Sequence, residues 1–534
     1  MAVPFAFAGA RKRVQARCQP AIITGCRGDG LRRERNMEIQ VVSGDVTFVQ
    51  CDALIVNLFE GVEQPGGATG AIDRVLDGQI GALIRAGEIK GKVAETTVIH
   101  CHGRLPAERV IVAGLGRRED FSLEVAHKAV GAAARTATRK GCRRLASILH
   151  GAGAGMLDAG RAAQAVVEGV AIGVFDVGAY KTADREPSDV GTLTLIESDA
   201  SKARQARAGV KVGEITAEAT NYARKLVNEP ANELSPERFA QEARRVAEEQ
   251  GLECAVLGAK ELEKQGFGGI MAVGKGSARP PQLITLRYSP RKRGPTLAFI
   301  GKGVMFDSGG ISLKPSENME LMKGDMAGAA AVLAAIEALG KLKAKVNIMG
   351  VIPAVENLPS GSATRPGDVA KMYGGKTVEI VNTDAEGRLI LADALAYARE
   401  QGATHMVDVA TLTAAVVIAL GRITYGVLGN DEELVKRVKD AATAAGEKAW
   451  ELPLFPEYRE QIKSPIADMK NTGGRPAGPI TAALLLKEFV GDTPWVHLDI
   501  AGTYWNDGDV PYMPKGPTGS AVRTLIELAR RFGE

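Results

Sequence analysis

No stretch of this chain is apolar for the roughly 18 to 20 residues that a membrane-spanning helix needs. Its longest apolar runs, 327–336 and 411–420, reach only about half that length, so a soluble protein with no membrane partner is expected. Cysteine is scarce and scattered. The six cysteines (Cys18, Cys26, Cys51, Cys101, Cys142 and Cys254) form no Cys-x-x-Cys pair, and none lies beyond Cys254. They suit a reducing compartment, and a cytoplasmic location is expected. An excess of one charge is lacking too: 67 basic residues stand against 63 acidic ones, a formal net charge of +4. That balance gives no support to nucleic acid or an anionic membrane as a partner.

With 534 residues, 45% of them hydrophobic and 24% charged, the chain has material for two or more domains, each with its own core. The first 36 residues stand apart, with eight Lys or Arg against Asp29 and Glu34, no serine, and no apolar stretch long enough for a signal-peptide core. Residues 1–36 read as a basic, disordered extension or the product of an upstream start codon, with Met37 opening the folded chain. From there to residue 205, β-rich runs at Ala53–Leu58, Arg109–Gly114, 146–150 and Thr192–Glu197 alternate with Ala-rich helical stretches such as 125–140. This predicts a smaller N-terminal α/β domain over 37–205 with a partly parallel sheet.

Ile215, Ala219, Tyr222 and Leu226 line one face of a connecting helix within 206–235, which Asn228-Glu229-Pro230 ends. Ser235-Pro236-Glu237 then supplies an N-cap, a first-turn proline and early negative charge, so the next helix should run to Gln250. The remainder, 236–534, predicts a larger C-terminal α/β domain with a mainly parallel central sheet. Its strands are expected at Gln282–Tyr288, 296–300, 346–351, 378–381, 405–409 and 496–500, and its helices at 329–339 and 389–400. Open sheets of this kind gather ligands beyond the carboxyl ends of their strands. Two acidic motifs follow the strand candidates that end at Ile300 and Val381.

The second of these motifs, Asn382-Thr383-Asp384-Ala385-Glu386-Gly387-Arg388-Leu389, sets two carboxylates one residue apart beside an arginine. The first runs from Gly301 to Pro315 and holds Lys302, Asp307 and Lys314; Met322-Lys323-Gly324-Asp325-Met326 follows it. If Asp307, Asp325, Asp384 and Glu386 converge, mutual repulsion would keep some of them protonated unless cations intervene. Two divalent ions about 3.5 to 4 Å apart resolve that conflict, a common design for hydrolysis. Only His405 and His497 lie in this half, without a ligand-spaced partner, and both read as structural. Oxygen-rich ligation is left, which Mn²⁺, Mg²⁺ or Zn²⁺ would accept. The Gly-rich stretches 66–70 and 151–155 lack the Walker lysine and the full dinucleotide spacing, and read as turns or close backbone contacts.

These three segments resemble the signature stretches of the leucyl aminopeptidase family, the di-metal cytosol aminopeptidases. Asn228-Glu229-Pro230-Ala231-Asn232, Asn471-Thr472-Gly473-Gly474-Arg475 and His497-Leu498-Asp499-Ile500-Ala501-Gly502 resemble it as well. The likeness covers the larger domain and the connecting helix, while the first domain is matched only loosely. It implies that Lys302, Asp307, Asp325 and Glu386 bind one metal and Asp307, Asp384 and Glu386 the other, with Mn²⁺ or Zn²⁺ as the ions. A lysine ligand must be neutral, and a nearby dication with partial burial could bring that about.

The resemblance further implies Lys314 and Arg388 as a catalytic pair. Lys314 would steady the oxyanion, and Arg388 would hold a bicarbonate that relays a proton. A free α-amine anchored on a metal would confine cleavage to N-terminal residues. The implied protein is a homo-hexamer that releases leucine-like residues from peptides with a free N-terminus. A second reading is a DNA-binding or structural oligomer with aminopeptidase activity secondary, since some relatives have such roles. A third, a di-metal phosphoesterase, has no need of Lys302. Met305 stands where the family more often has threonine, and Ala414 where glycine is usual. Met322 and Ala501 match positions that shape the family's first-residue pocket, with Tyr504 near it, and a methionine there suits large apolar side chains.

Overall fold

The computed structural model describes residues 37–153, 157–183 and 189–533. The basic extension over 1–36 lies outside the described residues, as do Ala154 and Gly155 of the second Gly-rich stretch. Two sheets organise the fold. The first has six strands, β1 (Glu38–Ser43), β2 (Ala53–Leu58), β3 (Thr96–His100), β4 (Arg109–Gly114), β5 (Arg144–Ile148) and β6 (Thr192–Glu197), in the order β1-β6-β5-β2-β4-β3. Only β3 runs against its neighbour. In the interior strand β2, Leu54, Ile55 and Val56 are all fully buried, so it reads as a continuous apolar run rather than an alternating one.

Helices α1 (Leu123–Arg139) and α2 (Ala159–Gly173) pack against each other, and α2 packs on α3 (Ala200–Asn228). Helix α3 has 29 residues and begins before the 206 expected from the apolar stripe, because Asp199 caps it through the N–H groups of Ser201 and Lys202. It stops at Asn228, where Pro230 follows. In α4 (Pro236–Gln250) the Ser235 hydroxyl accepts the Arg238 N–H at 3.2 Å, and Gly251 closes the helix at φ 65°, as the cap signals predict.

The remaining strands are β7 (Glu253–Gly258), β8 (Gln282–Tyr288), β9 (Thr296–Gly301), β10 (Gly303–Asp307), β11 (Asn347–Asn357), β12 (Val369–Lys371), β13 (Thr377–Glu379), β14 (His405–Ala410), β15 (Tyr425–Gly429), β16 (Ala449–Glu451), β17 (Met469–Lys470) and β18 (Trp495–Asp499). Nine of them build the larger sheet, in the order β16-β15-β18-β14-β9-β11-β8-β7 with β10 beside β11. Strands β18, β14, β9, β11 and β10 are mutually parallel, which makes the sheet mainly parallel. Helices α5 (Ala327–Lys341), α6 (Gly387–Glu400), α7 (Gly478–Val490) and α8 (Val522–Phe532) surround it. Among the described residues no helix is long and apolar enough to cross a membrane.

One expectation needs correction. The strand at 378–381 does not belong to the central sheet. It is β13, in a separate three-stranded sheet with β12 and β17. A run this short carries no information about its pairing partner, and the turn after β12 gives it an antiparallel neighbour at once. Its parallel pairing with β17, Val378 opposite Met469, carries Asn471 to the acidic octapeptide.

Candidate metal centre

The strands of the larger sheet that lead into the cluster end at one edge, and the octapeptide reaches it from β13 in the separate sheet. Strands β9, β14 and β18 run parallel and finish at Gly301, Ala410 and Asp499, so their following turns share that edge. Lys302 sits between β9 and β10, Asp307 closes β10, Asp325 precedes α5, and Asp384 and Glu386 lead into α6. Two glycines make room inside the cluster. A Cβ on Gly387 would lie 2.7 Å from Lys302 Cε, and one on Gly309, at φ 89°, would lie 2.9 Å from Asp384 Oδ1.

Six of the seven residues expected from the sequence form two adjoining ion-paired triads. Lys302 Nζ lies 2.8 Å from Asp325 Oδ2 and 2.8 Å from Glu386 Oε1. Lys314 Nζ lies 2.8 Å from Asp307 Oδ2 and 2.5 Å from Asp384 Oδ1. Asp307, Asp384 and Glu386 each offer an oxygen within 4.8 Å of the others. Lys302 is sealed, whereas the Lys314 side chain is 23% exposed and that of Asp384 33% exposed. The group therefore has a closed end at Lys302 and an open end at Lys314.

Four carboxylates and two lysines leave negative charge in excess. Burial pushes the Asp307 carboxyl up and Glu386 adds to it, against Lys314 and Lys302. Burial raises Asp325 well above the usual carboxylate range against the pull of Lys302, and raises Asp384 against Lys314. Burial works against the Lys302 ammonium, yet Asp325, Glu386 and Asp307 outweigh it and raise its pKa. Glu386 Oε2 is buried without a hydrogen-bond partner. Clustered carboxylate oxygens, excess negative charge and an unpartnered buried oxygen suit a divalent cation.

Arg388 is brought beside the group rather than into it. It is buried, its Nη1 donates to Asn471 O at 2.9 Å, and its Nε is buried without a partner. Burial lowers its pKa to about 10, with Glu386, Asp499 and Asp384 opposing. The two histidines hold neighbouring side chains: His497 Nδ1 lies 2.6 Å from Asp408 inside the sheet, and the His405 ring packs edge-on against Phe532. Met305 is buried in β10, and Ala414 opens a short helix that the Thr413 hydroxyl caps.

Four further residues build the site without having been assigned a role from the sequence. Asn357 Nδ2 donates to Asp307 Oδ1 (2.8 Å) and to Thr383 O (3.0 Å). Asn471 accepts the Val381 N–H and donates to Asn382 O and Ala385 O, which staples the octapeptide. Thr411 O accepts from Lys302 Nζ at 2.9 Å, while its hydroxyl donates to Asp325 Oδ1 at 2.7 Å. Asp499 holds the turn that contains Thr411. The available signal was a polar residue ending an apolar strand, as Asn357 and Asp499 do.

Fold and cluster together define a two-domain α/β protein with an acid-and-lysine cation centre beyond the carboxyl ends of its larger sheet. The chain belongs to the cytosol aminopeptidase family: the model of the family's catalytic domain matches residues 221–526 and that of its N-terminal domain residues 55–184. The N-terminal domain, only loosely recognisable from sequence motifs, is thus part of the same family architecture. A probable cytosol aminopeptidase of Alkaliphilus metalliredigens is 44% identical over 497 residues, 92% of this chain and 99% of that protein. One from Solibacter usitatus is 46% identical over 497 residues, again 92% and 99%. Among solved structures, a mutant of tomato leucine aminopeptidase superposes with a TM-score of 0.83 at 32% identity, covering 94% of this chain and 97% of that one. The bottromycin maturation enzyme BotP in complex with Mn gives 0.79 at 37% identity, covering 91% and 100%. The protein is a metallo-aminopeptidase, an exopeptidase of the hydrolase class.

Proposed function

We propose that this aminopeptidase releases leucine-like N-terminal residues from peptides with a free N-terminus, using a water activated by two divalent ions. The observation that carries this reading is the convergence of Asp307, Asp384 and Glu386 within 4.8 Å, with Lys302 lying on Glu386 and Asp325. Lys302, Asp307, Asp325 and Glu386 would hold one ion and Asp307, Asp384 and Glu386 the other. Mn²⁺ and Zn²⁺ both accept such donors, and BotP was solved with Mn. When bound, the ions supply Lewis acidity toward the scissile carbonyl and make a water nucleophilic near neutral pH.

The chain's own groups do the rest. Lys302, held as an ammonium by the surrounding carboxylates, would serve as a neutral amine only with a dication in place of its proton. Lys314, at the open end of the cluster, is aimed by Asp307 and Asp384 and would donate to the oxyanion that forms at the carbonyl. Arg388 has an unpartnered Nε and would hold a bicarbonate, which would supply a base beside the centre. Gly324 lies against the Tyr504 ring, which brings that ring to the Met319–Gly324 turn carrying Met322; this supports an apolar first-residue pocket. The same proposal includes a homo-hexamer in the cytoplasm, in line with the relatives' description as cytosol aminopeptidases, and a division at 37–205, 206–235 and 236–534. Asp384→Ala should abolish metal-dependent release of leucine from its p-nitroanilide and lower the metal content. Full activity at unchanged metal content would overturn the reading. A panel of N-terminal residues tests the leucine preference.

A further inference from the structure

Asp499 ends β18, is fully buried, and is not among the seven residues assigned to the site. Its Oδ1 accepts the N–H groups of Leu412 (3.2 Å), Thr413 (3.4 Å) and Ala501 (3.3 Å), and its Oδ2 accepts the Thr413 hydroxyl (2.7 Å). One carboxylate thereby ties the turn after β14 to the turn after β18. The first of those turns touches the cation centre one residue earlier. There Thr411 O takes Lys302 Nζ and the Thr411 hydroxyl reaches Asp325 Oδ1. Behind Asp499, on the same face of β18, His497 is held by Asp408, which also takes the Trp495 indole N–H at 2.7 Å. The far side of the clamp is thus anchored in the sheet.

A buried carboxylate is costly to keep. Its N–H partners alone could be served by a neutral amide oxygen, but bonds to a charged acceptor are stronger and hold a turn more tightly. We propose that Asp499 is a positioning residue of the cation centre: by clamping 411–413 it sets, through Thr411, the placement of Lys302 and Asp325. The proposal rests on reading the cluster as a metal centre.

The test is Mn²⁺ affinity of the purified full-length protein, measured by competition with a chelating dye, alongside circular dichroism and steady-state kinetics on leucine p-nitroanilide. Asp499→Ala should weaken Mn²⁺ binding by about tenfold or more. Asp499→Asn, which keeps the shape and one oxygen, should weaken it by about threefold, and Thr411→Val, which removes only the hydroxyl to Asp325, by a similar factor. In each, kcat should fall with affinity; in Thr411→Val, which leaves the Asp499 bond to Ala501 in place, KM should stay within about twofold. Should the alanine variant fail to fold, the other two carry the test. Wild-type Mn²⁺ affinity in both Asp499→Asn and Thr411→Val overturns the proposal, as does a loss that tracks falling circular dichroism alone. Glu386→Ala is the control. If it loses Mn²⁺ while the Asp499 variants do not, only this inference fails; if it binds like wild type, the metal-centre reading falls and takes the inference with it.

Discussion

Two clusters of charge with buried carboxylates titrate in opposite directions in this molecule. At the junction of α1, α2, α3 and α8, Glu168 takes hydrogen bonds from Gln164 and Thr216 and lies 2.7 Å from His127 Nε2. Arg523 Nη1 donates to His127 Nδ1 at 3.1 Å and pairs with Glu447, and Arg161 reaches Glu527. Burial alone would push Glu168 up, but His127, Arg523 and Thr216 outweigh it and bring it to about 2. His127 itself is lowered by burial, against Glu168, and its Nδ1 accepts from Arg523. In the cation centre, by contrast, Asp307, Asp325 and Asp384 are all raised. With Arg530 and Arg531 also on Glu527, the junction's three carboxylates face four arginines, so its negative charges are met, and it holds two domains together. The centre does not balance them, and the imbalance is what a cation would use. Burial marks neither cluster as functional; charge balance separates them.

Substitutions should therefore cross over between the two clusters. Glu386→Ala should lower the turnover of leucine p-nitroanilide on the order of a thousandfold without lowering the urea midpoint of the metal-free protein, since it relieves crowded carboxylates. Arg388→Ala should cut kcat by about a hundredfold with little change in KM, and added bicarbonate should not restore it. Glu168→Gln should behave in the reverse way, costing about 1 to 3 kcal/mol of stability in urea denaturation while leaving kcat/KM of the folded protein intact. A catalytic loss there as large as that at Glu386 would break the comparison. The same variant sharpens it through pH. A carboxyl lowered from 4.5 to about 2 contributes stability that is present above 4.5 and lost as pH falls toward 2. The acid limb of the wild-type stability curve should accordingly be steeper than that of Glu168→Gln in this window. A smaller effect is expected beside the 411–413 turn, where the family usually has glycine: Ala414→Gly should change the ratio of leucine to smaller N-terminal residues by roughly tenfold at most, read from kcat/KM on a substrate panel.

Local chemistry was the most readable part of the chain. The Ser235 cap, the stop at Asn228 and the buried run of β2 all follow from residues within a turn or two of the feature they create. The acidic segments were likewise visible, because carboxylates among Gly, Ala and Ser in loops have few structural roles to compete for them. The reading went astray where partners are distant. The sequence pattern puts the strand ahead of the octapeptide in the central sheet, since nothing within four residues tells β13 that it will pair with β12 and β17. Asn357, Asn471, Thr411 and Asp499 carried no assigned role for the same reason. A neutral or singly charged residue at a strand end looks like an ordinary turn until its partner, 26 to 109 residues away in these bonds, is in place.

Which donors are available, the caps and glycines that let them approach, and the likeness to a family of metallo-aminopeptidases are all written in the order of residues along the chain. Tertiary structure decided that Lys302 would be sealed and Lys314 left open, that Arg388 would bond to Asn471, and that Asp499 would hold the turn beside Lys302. The division has a physical cause. Spacing along a chain sets side-chain direction over a few residues, whereas the distance between charges on different loops depends on the register of parallel strands joined by helices, and that register is set by the packing of the whole sheet.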